Sequence, residues 1–185
     1  MPDVFFILPT LSLLPVAAVV TLVTVMVSWR RGAPLGLAMW RVLVIAYLTA
    51  LVALTFFPFQ VKIDELTGSS TWWNSINWEP IVTIDPIGFA ENVLLTAPLG
   101  FLVPALTKRR TLRAVLLVGL VVSVSIEVLQ YADVRLLSGG RLADVNDVIA
   151  NVLGVAIGYA VYRVFRSSEP LARLLPNSEH VATVR

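Results

Sequence analysis

Cysteine is absent from this 185-residue chain, and histidine occurs once, as His180. The chain therefore has no disulfides, no thiolate metal ligands and no cysteine nucleophile. A metal site with several histidine ligands is likewise excluded within one chain. Charged residues are also scarce, at 14% of the sequence, whereas an average soluble domain has about 25%. The low charge argues against an ordinary soluble domain.

Long apolar stretches are what the chain has in abundance. Hydrophobic residues make up 57% of it, and its mean hydropathy is +0.83. Several nearly charge-free windows are long enough to cross a hydrocarbon core of about 30 Å. They predict an all-α polytopic membrane bundle, in which residues 1–166 form one domain and 167–185 a polar tail. The predicted transmembrane helices are residues 4–29, 40–59, 89–106, 112–131 and 145–165.

The basic residues predict how this bundle is oriented. In a five-helix topology most of them fall on one side, namely Arg30, Arg31, Arg41, Lys108, Arg109, Arg110, Arg113, Arg163, Arg166, Arg173 and Arg185. Lys62, Arg135 and Arg141 fall on the other side. The positive-inside rule then puts the N-terminus outside, the C-terminus in the cytoplasm and the loop 60–88 outside. Topology accounts for the pI of about 9.3, so no nucleic-acid partner is predicted.

Polar side chains from three predicted helices reach similar depth on the outer side. Glu127 and Gln130 share one face of the fourth helix, and Asp144 and Asp147 share one face at the start of the fifth. Short connections make these helices plausible neighbours. The predicted ligand-binding residues are Glu91, Asn92, Glu127, Gln130, Arg141, Asp144, Asp147 and Asn151.

Glu127 is the most telling member of this set. It lies four residues before the predicted helix end, which is roughly 6 Å along the axis. A lipid-facing carboxylate at depth costs up to about 3 kcal/mol, so Glu127 is predicted to face the bundle interior. Glu127, Asp144 and Asp147 are candidate catalytic acids or bases. Their oxygens are compatible with a divalent cation, but the sequence requires no cofactor.

A simpler interpretation of the same residues stays open. Carboxylates in the first turn of a helix are stabilised by its dipole, so Asp144 and Asp147 can serve as helix caps. Gln130 and Asn151 can hydrogen-bond between helices. The spacing of Gly154 and Gly158 predicts close packing of the fifth helix against a neighbour.

Four motifs follow one another between residues 57 and 154. They are Phe57-Pro58-Phe59, residues 91–104 (ENVLLTAPLGFLVP), residues 125–130 (SIEVLQ) and residues 141–154 (RLADVNDVIANVLG). In this order they resemble the VanZ-like family of bacterial membrane proteins over most of residues 40–165. The resemblance implies a multi-pass protein of the bacterial cytoplasmic membrane, acting in the cell envelope. Founding members are linked to low-level resistance to teicoplanin, a lipid-bearing glycopeptide antibiotic.

Three functions are compatible with the sequence. The first is binding of a lipid-linked envelope precursor, a lipoglycopeptide or another amphiphile at the outer leaflet. The second is an intramembrane enzyme acting on a lipid-linked substrate, with Arg141 meeting a phosphate. The third is an ion-coupled transporter, which the lack of polar residues in the inner halves of the helices disfavours. Besides the lipid bilayer, the sequence identifies no partner, and it leaves the oligomeric state open.

Overall fold

Five long helices carry the fold of the computed structural model, which describes residues 5–62, 76–137 and 142–176. They are α1 (Leu14–Arg30), α2 (Leu35–Phe56), α3 (Pro86–Leu106), α4 (Leu112–Leu137) and α5 (Val145–Ser167). Each is long and apolar enough to cross a membrane, α1 together with the 3₁₀ turn Thr10–Leu13 that precedes it. A short helix, α6 (Glu169–Ala172), follows α5. The predicted class, an all-α polytopic bundle, is confirmed for the described part of the chain.

Two short strand pairs lie outside the helices. Strand β1 (Phe5–Leu8) pairs antiparallel with β2 (Phe59–Lys62). Strand β3 (Ile76–Asn77) pairs parallel with β4 (Ala143–Asp144), which leads directly into α5. The second pair matters for the site, because it brings the chain before α3 onto the N-terminal end of α5.

The first helix begins later than the predicted residue 4. Residues 5–8 are a strand, and a 3₁₀ turn (Thr10–Leu13) precedes α1. Pairing with β2 satisfies the backbone groups of β1, and Pro15 lies in the first turn of α1, where its missing N–H costs nothing. Helix α4 ends later than predicted, at Leu137 instead of residue 131. A drop in apolarity shows where the apolar stretch ends, and α4 continues beyond that point.

The closest packing in the bundle is between α3 and α5. A Cβ atom at Gly158 would overlap the backbone carbonyl of Ala97, and one at Gly154 would overlap the Thr96 hydroxyl. A Cβ at Gly100 of α3 would likewise meet the carbonyl of Val155. Small residues let two helix backbones approach in lipid. The predicted close packing of Gly154 and Gly158 is confirmed.

Helix α2 joins this core through polar and aromatic contacts. The Tyr47 hydroxyl donates to the Leu95 carbonyl of α3 at 3.1 Å, and Trp40 stacks on Phe101 with ring centroids 6.3 Å apart. The Trp40 indole also donates to the Leu174 carbonyl at 2.8 Å. Leu175 is buried in the same core. The first part of the predicted polar tail therefore packs back onto the bundle.

Candidate functional site

Asp144 organises the N-terminal end of α5. It is the N-cap residue, and its Oδ1 accepts from the Asn146 backbone N–H at 2.7 Å and from Asn146 Nδ2 at 3.0 Å. Its Oδ2 accepts from Asn77 Nδ2 at 2.9 Å. Asn77 is opposite Asp144 in the β3–β4 pair. The cap predicted as the simpler role of Asp144 is present, and the same carboxylate also ties down the loop before α3.

Glu127 connects α4 to this end of α5. Its side chain is 8% exposed, and Oε2 accepts from the Asp144 backbone N–H at 2.8 Å. The prediction that Glu127 faces the bundle interior is confirmed. A buried carboxylate requires such a donor, because desolvating an unpaired charge is costly.

Asn146 binds the loop between β3 and α3 to the start of α5. Its Oδ1 accepts from the Ile81 backbone N–H at 2.7 Å, and its Nδ2 donates to the Glu79 carbonyl at 3.2 Å. Ile81 has a φ of 70°, which is unusual for a β-branched residue. The Asn146 hydrogen bond holds the backbone in this left-handed conformation. Neither Asn77 nor Asn146 was among the predicted site residues.

A cavity of about 330 Å³, which we term the polar cup, lies at this end of the bundle. Carboxylates dominate its wall, and no lysine or arginine of the described ranges lines it. Asp85 also caps α3, accepting from the backbone N–H groups of Ile87 and Gly88 at 3.1 and 3.0 Å. The lining residues are Asp85, Gly88, Phe89, Glu91, Asn92, Gln130, Leu142, Asp144, Asn146 and Asp147.

Gln130 contributes an unused hydrogen-bond acceptor to the polar cup. Its side chain is 5% exposed, and its Nε2 donates to the Thr55 carbonyl of α2 at 3.4 Å. Its Oε1 is buried and has no hydrogen-bond partner among the described residues. Buried polar atoms are seldom left unpaired, since desolvation without a partner costs about 1–3 kcal/mol. This oxygen can accept a hydrogen bond from a bound molecule.

A second cavity of about 290 Å³, which we term the apolar groove, lies on the other side of Asp144. Asp144 lines both cavities, whereas Glu127 lines only the groove. The remaining surface of the groove is aliphatic and aromatic. Its lining residues are Ile76, Trp78, Val124, Glu127, Val128, Tyr131, Ala143, Asp144, Val145 and Val148.

Of the eight predicted ligand-binding residues, five line the polar cup and Glu127 lines the apolar groove. The members that line the polar cup are Glu91, Asn92, Gln130, Asp144 and Asp147. Asn151 lies deeper and donates to Ser123 Oγ at 3.1 Å, which joins α5 to α4. Arg141 lies outside the described residues. The candidate catalytic residues thus divide too, since Asp147 lines the cup and Glu127 the groove; a role in binding or catalysis stays a prediction.

The carboxylates of the described ranges are spread out along the site. No three His, Cys, Asp or Glu side chains there are grouped so that they could hold a metal ion. The Asp85 and Asp144 carboxylates instead accept backbone hydrogen bonds.

Five membrane-length helices and a polar cavity at one end define a multi-pass helical membrane protein. The family model described as VanZ/LLP1 matches residues 44–166, more than half of the chain. The protein belongs to this VanZ-like family, as the four motifs predicted. No curated protein and no solved structure shows significant similarity to it. The match begins within α2, so it includes every residue that lines the polar cup and leaves out α1.

Proposed function

We propose that this protein binds a lipid-linked or amphiphilic molecule of the bacterial cell envelope in its polar cup. The observation that carries the proposal is the adjacency of two unlike cavities, a carboxylate-lined cup and an apolar groove, with Asp144 on the wall of both. An amphiphile has a polar head and an apolar chain, so it matches both surfaces. Ligand sites generally combine an apolar surface with a few convergent polar groups.

The distribution of charge supports an outward-facing cup in the bacterial cytoplasmic membrane. The helix ends remote from the cup carry basic residues, namely Arg30, Arg31, Arg109, Arg110, Arg163 and Arg166. Basic residues concentrate on the cytoplasmic side of membrane proteins. The cup then opens to the outer leaflet, where lipid-linked envelope precursors and lipoglycopeptides are accessible.

Binding is a better match to the cup than catalysis. The carboxylates of Asp85 and Asp144 accept hydrogen bonds from helix N-termini and loop amides, which hold the local backbone. Of the three candidate acids or bases, Asp147 lines the cup, Glu127 lines the groove and Asp144 lines both. Gln130 offers a buried oxygen that has no hydrogen-bond partner among the described residues, which a ligand can satisfy.

Native mass spectrometry of the full-length protein tests the proposal. The protein is placed in nanodiscs made from an envelope lipid extract, and retained small molecules are identified. We expect a bound amphiphile with the wild type and loss of it in Asp147→Asn. Glu169→Gln is the matched control, because it removes a carboxylate on α6, which lies beyond α5 and lines neither cavity. Identical spectra for wild type and Asp147→Asn would contradict a ligand in the cup.

A contribution to teicoplanin-type resistance is the phenotype that family membership suggests. Cells without the gene, complemented with wild type or with Asp147→Asn, should differ in teicoplanin susceptibility and not in susceptibility to a glycopeptide without a lipid chain. Equal susceptibility of all strains to both drugs would separate the binding function from resistance.

A further inference from the structure

Resting on the proposed function, we infer that the polar cup selects a protonated amine head group, with the alkyl chain of the same molecule in the apolar groove. The proposal depends on three separate features: the sign of the charge in the cup, the buried Gln130 oxygen and the position of the groove.

The charge of the cup favours a cation. Its wall carries carboxylates from the start of α3, Asp85 and Glu91, and from the start of α5, Asp144 and Asp147. Lysine and arginine are absent from the lining within the described ranges. Like charges repel strongly where water is partly excluded, so a phosphate or carboxylate head is disfavoured there. A single positive charge is attracted by this wall, in which Asp147 also has an interaction of its own.

The hydrogen-bonding capacity of the cup favours a donor. Gln130 is 5% exposed, and its Oε1 has no partner among the described residues. A carboxylate or a fully ionised phosphate brings acceptors only, whereas an ammonium group brings three N–H donors. A protonated amine therefore satisfies both the buried oxygen and the carboxylate wall. A quaternary ammonium satisfies the charge alone.

The apolar groove provides a place for the chain of the same molecule. It begins at Asp144, which is also part of the cup. Val124 and Val128 line it and are exposed on α4, a helix long enough to span a membrane. Trp78 closes one side and is itself 58% exposed. An alkyl chain packed along Val124 and Val128 extends from the cup toward the bilayer. A fully polar ligand has no group that can occupy this surface.

The test compares head groups on one chain. Dodecylamine, dodecyltrimethylammonium, dodecanol and dodecyl phosphate are each added to the full-length protein in a nonionic detergent at neutral pH, and binding is quantified by native mass spectrometry. We expect dodecylamine to bind about tenfold or more tightly than dodecyl phosphate, a difference of about 1.4 kcal/mol. Glu91→Gln combined with Asp147→Asn should abolish this preference, and the control Glu169→Gln should retain it.

Two further variants test the separate features. Gln130→Leu removes the buried oxygen, so dodecylamine should no longer bind more tightly than dodecyltrimethylammonium. Both should still bind more tightly than dodecyl phosphate. Val128→Trp fills the groove, so dodecylamine should bind no better than butylamine. Unchanged dodecylamine binding in Val128→Trp would overturn the assignment of the chain to the groove.

The outcomes separate this inference from the function on which it rests. Equal binding of all four dodecyl probes, lost in Asp147→Asn, would overturn amine selection and leave amphiphile binding intact. Preference for dodecyl phosphate that disappears in Arg141→Gln would overturn it in favour of an anionic head. Absence of binding by every probe, with an envelope amphiphile still retained in the nanodiscs, would overturn amine selection alone.

Discussion

The two halves of the bundle, α1–α2 and α3–α5, differ in the contacts that pack their helices together. Helix α1 is the more apolar, yet Ser28 is its one buried residue within the described part of the chain. Helix α5 is less apolar and buries Asn151, Gly154 and Gly158 against α3 and α4. Lipid solvates an apolar side chain as well as a protein interior does, so apolarity alone does not bring helices together in a bilayer. Small and polar residues do, and most of those that are buried between helices lie in α3 to α5.

The contact between α1 and α2 follows the same rule on a smaller scale. Arg41 donates to Ser28 Oγ at 2.7 Å, and this bond lies near the turn between the helices. The family match starts at residue 44 and leaves α1 outside. The half that contains the polar cup is therefore the more closely packed one. Helix α1 lies outside the family match and contributes one buried residue.

Replacing Gly158 by alanine should have the largest effect on this contrast. A Cβ there overlaps the Ala97 carbonyl, a backbone atom that cannot rotate away. We expect destabilisation of about 1–3 kcal/mol in equilibrium unfolding of the purified protein. Gly36→Ala on α2 is the control, because nothing lies within 4 Å of its Cβ position; it should be neutral or stabilise by up to about 1 kcal/mol. Equal effects at the two glycines would remove the distinction between the halves.

Substitutions at Glu127 test whether its hydrogen-bond acceptor or its negative charge stabilises the contact between α4 and α5. Glu127→Leu leaves the Asp144 N–H without its acceptor and should cost about 1–3 kcal/mol. Glu127→Gln keeps an oxygen in place and should cost less than about 1 kcal/mol. Chemical denaturation of both variants under the same conditions measures the difference. A larger loss in Glu127→Gln than in Glu127→Leu would show that the acceptor is not what stabilises this contact.

Asn151→Ala should have an intermediate effect. It removes the hydrogen bond from Asn151 Nδ2 to Ser123 Oγ between α5 and α4. Hydrogen bonds between membrane helices are worth about 0.6–1.7 kcal/mol. Thr49→Ala on α2 is the comparison, because the Thr49 hydroxyl donates within its own helix, to the Ile45 carbonyl. If Thr49→Ala is the more destabilising of the two, polar contacts between helices do not distinguish the halves.

Trp40→Phe should have the smallest effect and should be local. It removes the indole donor to the Leu174 carbonyl while keeping a ring to stack on Phe101. A neutral hydrogen bond contributes about 0.5–1.5 kcal/mol. Hydrogen exchange should therefore accelerate in residues 169–176 and stay unchanged in α3 and α5. Faster exchange throughout the bundle would mean that α2 supports more of the core than its contacts indicate.

The sequence predicts the number and class of the helices because a hydrocarbon core demands long apolar segments. It also predicts Glu127 burial, since a charge in lipid is costly, and the Gly154 and Gly158 packing. It does not predict β3, because two strand residues carry no periodic signal and their pairing with β4 spans distant parts of the chain. Asn77 was missed for the same reason.

Two signals in the sequence were available and unused. Asp85 directly precedes Pro86, an N-cap residue followed by proline at the first helical position. This pair marks the start of α3 three residues before the predicted 89. Asn146 lies two residues after Asp144, within reach of its carboxylate at a helix N-terminus. Such local patterns set helix starts, whereas apolarity sets only the span.

The hydrogen bond from the Asp144 backbone to Glu127 has a consequence for how the site can change over evolution. The anchor between α4 and α5 uses the main chain of residue 144 and not its side chain. A substitution at this position alters the wall shared by the two cavities and leaves that anchor in place. A change of the side chain at residue 144 therefore removes the cap of α5 and the bond to Asn77, while the main-chain link between α4 and α5 stays.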